Sequence, residues 1–134
     1  MTKLSVIEGI GEVYQEKLLK AEVKSVEALL ERGSTKEGRA ELAETTDISE
    51  KLILRWVNHA DLSRIKGVSG EYSELLEAAG VDTVPELAQR RPDNLHAKLV
   101  AVNEEKKLVR KLPTESQVAG WVEQAKALPR KVNY

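Results

Sequence analysis

Apolar side chains recur along this chain at spacings of three and four residues, and apolar–polar alternation of the strand type is not sustained anywhere. Ile7, Ile10, Tyr14 and Leu18 form one such row, and Ile65, Val68, Tyr72 and Leu76 form another. The pattern predicts helices almost throughout. Val23, Val26 and Leu29 should join the first core, and Val81, Val84 and Leu87 the second. Helix punctuation agrees. Ser49 reads as an N-cap with Ile48 stapled onto Ile53, opening a helix that runs through Trp56 to about His59. Thr83 with Glu86, and Thr114 with Gln117, fit the capping box. Gly33 should end the helix from Val26 to Arg32 in a left-handed conformation, and Pro92, Pro113 and Pro129 mark further breaks.

The apolar rows belong to a duplication. Residues 4 to 30 align without a gap onto residues 62 to 88. Leu4/Leu62, Ser5/Ser63, Ile7/Ile65, Gly9/Gly67, Tyr14/Tyr72, Glu16/Glu74, Leu18/Leu76, Ala21/Ala79, Val23/Val81, Val26/Val84 and Leu29/Leu87 are identical, where composition alone gives roughly two matches. A later register aligns residues 49 to 60 with 114 to 125, setting Trp56-Val57 over Trp121-Val122. The second copy therefore carries an insertion, placed at 101–111. One unit used twice is expected: 1–61, then 62–134 with the insertion and a short tail. The two tryptophans should be core anchors closing their own units. Residues 58–62 contain no linker composition, so the halves are expected to pack together along a nearly continuous helical path.

Each copy opens on a glycine turn. Gly9-Ile10-Gly11, followed by Tyr14, Leu18 and Ala21, has the pattern of a helix-hairpin-helix motif. Glycine permits positive φ in a very short turn, while Ile10 or Val68 plugs the gap between the helices. The first amides of the second helix then point outward, where they and the helix dipole can hold a phosphate. Such a contact reads no base. The second hairpin has Arg64 and Lys66 beside Gly67-Val68-Ser69-Gly70. There Ser69 replaces the second glycine and could cap the helix, with Gly70 taking some of the strain. The first hairpin is flanked by Glu8 and Glu12, which would repel a phosphate.

These hairpins, the alanine closing each second helix and the Trp-Val pairs resemble a bacterial family of helix-hairpin-helix proteins known only as a domain of unknown function. The resemblance spans nearly the whole chain. More distantly, the unit is similar to DNA-contacting modules of ligases, recombinases and the RNA polymerase alpha C-terminal domain. It implies an all-α fold of two tandem helix-hairpin-helix units packed into one compact protein, with a capacity for backbone-directed DNA binding.

Composition narrows the function classes. The chain has 134 residues, a net charge of −1 and no cysteine. That excludes a disulfide framework, thiolate metal ligands and a thiol nucleophile, and offers no global attraction for nucleic acid or an anionic membrane. No apolar run suits a signal peptide or a membrane span, so a cytoplasmic location is expected. Charge is uneven: 9 Lys/Arg against 12 Asp/Glu up to residue 61, then 12 against 10. Residues 90 to 131 hold ten basic groups against five acidic ones. His59 and His96 stand apart from any ligand set, and no P-loop, dinucleotide fold or nucleophile elbow is present.

No catalysis, cofactor, metal or small-molecule substrate is expected. Two functions remain. One is weak, sequence-independent binding to a DNA or RNA backbone. Gly67, Val68, Ser69 and Gly70 would present amides to one phosphate, Arg64 and Lys66 would support it, and Lys106, Lys107, Arg110 and Lys111 would extend the track. The other is a protein-interaction or scaffolding module with purely structural hairpins, in which the stretch from residue 90 to 111, or the tail, docks an acidic partner.

Overall fold

The computed structural model describes residues 2–134, and no strand is formed among the described residues. A 3-10 turn, Leu4–Val6, precedes α1 (Glu12–Lys20), α2 (Val26–Arg32), α3 (Lys36–Thr46) and α4 (Glu50–Leu62). There follow α5 (Gly70–Ala78), α6 (Val84–Ala88), α7 (Pro92–Lys106) and α8 (Glu115–Ala127). The fold is all-helical. It divides into two compact units, the first taking the chain to Asp61 together with Lys131–Tyr134, the second comprising Leu62–Arg130.

Most starts and stops have local causes. Ser25, Thr35, Ser49, Thr83 and Thr114 each accept a backbone N–H of the helix they open. Thr114 completes the box reciprocally, since its own N–H donates to Gln117 Oε1 at 2.9 Å. Thr114→Ala is therefore expected to cost about 1 kcal/mol in urea denaturation, and an unchanged midpoint would remove the cap from the account. Ile48 and Ile53 are both buried, as the staple requires. The α4 helix runs three residues past His59, so residues 58–62 are one helical stretch.

Gly33 ends α2 as its C-cap, as the sequence suggests, but for another reason. It lies at φ −96°, in no left-handed conformation. A Cβ there would collide with Val57 Cγ2 and the Leu29 carbonyl, so close approach of α4 demands the glycine.

In unit 1, Leu18, Val23, Val26, Leu29, Leu42, Ile53 and Trp56 are sealed from solvent, and α3 packs on α1 and α2. In unit 2, α8 packs on α6 and α7, and α7 on α5, around Leu76, Val84, Leu87, Leu99, Val118 and Trp121. Each tryptophan packs at a steep angle against the tyrosine of its own unit, 62° in the first and 51° in the second. The centroids are 5.1 Å apart for Tyr14–Trp56 and 5.3 Å for Tyr72–Trp121. Both tyrosines are half-buried and the remaining expected core residues are buried.

The tail is a second correction, because Lys131–Tyr134 lies with unit 1 rather than closing unit 2. Val132 is 2 % exposed in the first core. The Asn133 N–H donates to the Ser34 carbonyl at 2.8 Å, and the Tyr134 hydroxyl to Asn58 Oδ1 at 2.9 Å. Arg39, itself buried, donates Nη1 to the Gly33 carbonyl and Nη2 to the Asn133 carbonyl. A buried guanidinium needs such acceptors, and the tail supplies one of them.

Candidate nucleic-acid interface

The two glycine turns have nearly the same backbone. Gly9 lies at φ +94° and Gly67 at +95°, where an ordinary side chain is disfavoured. The next residue turns inward: Ile10 and Val68 are 5 % and 6 % exposed, and their N–H groups donate to the Ile7 and Ile65 carbonyls at 3.2 Å. Gly11 and Ser69 follow as N-caps at φ −89° and −93°, an extended backbone open to any residue. Serine at position 69 therefore leaves the turn unchanged.

Three expectations for this turn need revision. The Ser69 hydroxyl makes no capping hydrogen bond. Gly70 carries no turn strain, since it is the first residue of α5 and Gly67 alone takes positive φ. Val68 presents no open amide, because its N–H is bound within the turn.

What remains is the first turn of α5, whose N–H groups lack a side-chain acceptor, and likewise that of α1 behind Gly11. The α7 helix, behind Arg91, is also uncapped, but it begins on Pro92, which has no N–H to offer.

The basic residues divide into two groups. Lys66 is exposed, and its backbone is clamped on both sides by Gln124: Lys66 N donates to Oε1 at 2.8 Å and Nε2 donates to Lys66 O at 3.2 Å. Arg64 is half-buried, and its Nη2 donates to the Pro129 carbonyl at 2.8 Å, where the chain leaves α8.

Lys106 ends α7, and Lys107 terminates it in a left-handed conformation at φ +51°. The expected insertion falls at this helix end and in the loop behind it. Asn103 secures that loop with two hydrogen bonds to the Val109 backbone, at 3.1 and 2.9 Å, and Val109 is buried. The Tyr72 hydroxyl donates to the Lys111 carbonyl at 3.0 Å. Tyr72 lies in the first turn of α5, so a side chain of that helix holds the loop by its backbone at Lys111. Lys106, Lys107, Arg110 and Lys111 all remain exposed.

The first glycine turn differs in chemistry. Glu8, Gly11 and Glu12 are exposed, Glu12 occupies the first turn of α1, and Val13 is 68 % exposed. Sequence reasoning missed Gln124, Asn103 and the hydroxyl role of Tyr72. Each binds a backbone group, and a backbone acceptor leaves no trace in residue identity.

Elsewhere three titratable groups have defined surroundings. Burial pushes the Asp82 carboxyl up, helped by Glu86 and Glu77. The Asn94 N–H and Arg91 hold Asp93 below its usual range. His96 Nε2 lies 3.0 Å from the Pro113 carbonyl. Among the described residues no group of three His, Cys, Asp or Glu could hold a metal, and no helix is long and apolar enough to cross a membrane.

No curated protein and no solved structure matches the chain. A family model described as a domain of unknown function, DUF4332, matches residues 8–128, which is most of the sequence, and the chain belongs to that family.

Proposed function

We propose that the two units are tandem helix-hairpin-helix copies, and that the second binds nucleic-acid backbone without reading sequence and without catalysis. One observation carries this reading. The open first turn of α5 lies behind the Gly67 turn, with exposed Lys66 before it, and its Tyr72 hydroxyl binds the backbone of the loop that carries exposed Lys107, Arg110 and Lys111. Free amides, a helix dipole and exposed cationic side chains on one unit suit a phosphodiester. Glu71, in the same turn, keeps the contact weak.

The first hairpin does not share this role. It combines Glu8 and Glu12 with exposed Val6 and Val13, a surface better suited to a protein partner than to phosphate. The protein-interaction reading therefore attaches to hairpin one.

Fluorescence anisotropy with long duplex and single-stranded DNA tests the main reading. Affinity should fall steeply with salt. Replacing Lys106, Lys107, Arg110 and Lys111 together by Ala should weaken binding at least tenfold at ~50 mM salt. It should also flatten the salt slope by about 0.9 per lost duplex contact. No binding at ~50 mM salt, or an unaffected variant, ends the proposal.

A further inference from the structure

Unit 1 holds a second candidate site, independent of the hairpins. A cavity of about 430 Å³ is lined by Lys36, Arg39, Glu50, Lys51, Leu54 and Tyr134. Its volume falls within the range of small-ligand sites.

Three features define what fits. The first is cationic. Lys36 is the first residue of α3 and Lys51 the second of α4, and both line the cavity. Both lysines are exposed, and among the described residues neither forms an ion pair.

The second is aromatic. Tyr134 is 61 % exposed and yet fixed in place. Its hydroxyl is bound to Asn58, its ring lies 5.7 Å from the Arg39 guanidinium carbon, and the preceding residue is held by Ser34 and Arg39. An exposed ring already ordered by its neighbours forms a stacking platform with little entropy left to lose on binding. The third is polar: the exposed Glu50 carboxylate can accept an N–H.

We infer that this cavity binds a nucleotide, its base stacked on Tyr134, its phosphate held by Lys36 and Lys51, and Glu50 accepting a base N–H. The same chemistry fits a free mononucleotide or one nucleotide of a single strand.

Isothermal titration of the full chain with AMP, adenosine, inorganic phosphate and a short oligo-dA tests this. AMP or the oligonucleotide should bind at least tenfold more tightly than adenosine or phosphate alone, because stacking and charge act together. Tyr134→Leu should lose at least tenfold, the equivalent of one stacked base, while Tyr134→Phe retains binding. The exposed pair Lys36→Gln/Lys51→Gln should weaken AMP but not adenosine. Comparable affinity for both probes points to free nucleotide, and binding of the oligonucleotide alone points to a strand. Absence of binding by either at ~10 mM, or indifference to Tyr134→Leu, overturns the inference. The four-fold alanine variant of the α7 loop leaves AMP binding intact, so failure at hairpin two and failure here are separable.

Discussion

Trp121→Ala is expected to destabilise unit 2 by about 3–5 kcal/mol, the range for truncating a buried tryptophan. The side chain is 3 % exposed, lies in the second core and packs against the Tyr72 ring. It also abuts the Gly67 turn, since a Cβ on that glycine would sit 3.1 Å from the indole Nε1. Removing the indole thus opens a hole in the core and takes away what the Gly67 turn rests on. The sequence contains two tryptophans, so the variant keeps Trp56 as a fluorescence probe confined to unit 1. Urea unfolding followed by circular dichroism should show the loss, while Trp56 emission reports whether unit 1 follows. A change below about 1 kcal/mol would mean that Trp121 is peripheral.

Gly67→Val should cost about 1–3 kcal/mol from conformation alone, because a β-branched residue is forced to φ +95°. Contact with Trp121 adds to that. Gly11 supplies the internal contrast. Its φ is extended, a Cβ there would meet nothing within 4 Å, and its counterpart is already serine. Gly11→Ser should therefore change stability by less than about 0.5 kcal/mol. Equal losses at both glycines would refute the assignment of the turn to a single left-handed residue.

Those glycines also mark how far the sequence could be read. Helix class, the staple at Ile48, the hydroxyl caps at Thr83 and Thr114 and the inward Ile10 and Val68 follow from spacing and local hydrogen-bonding chemistry, and each is present. The Gly-x-Gly pattern suggested two strained residues where the backbone needs one. Gly33 does stop α2, but at φ −96° it uses no left-handed freedom, and what a side chain there would meet is Val57, a tertiary cause invisible to a local pattern. The same limit hid the candidate site's scaffold. Tyr72 reaches a carbonyl 39 residues away, Gln124 a peptide 58 away and Arg39 one 94 away. Periodicity encodes which side faces inward, but such long-range clamps depend on where the chain returns. The cavity around Tyr134 escaped for this reason, since nothing in the tail suggested that it belonged to unit 1.

The return of Val132 to the first core bears on how the protein is born. A ribosome releases the amino-terminal half first, and such halves commonly fold before the rest emerges. Here that early folding stays incomplete until residues 131–134 have been translated, because they supply a buried valine and an acceptor for the guanidinium of Arg39. Nascent unit 1 must wait with an open hole in its interior while all of unit 2 is made.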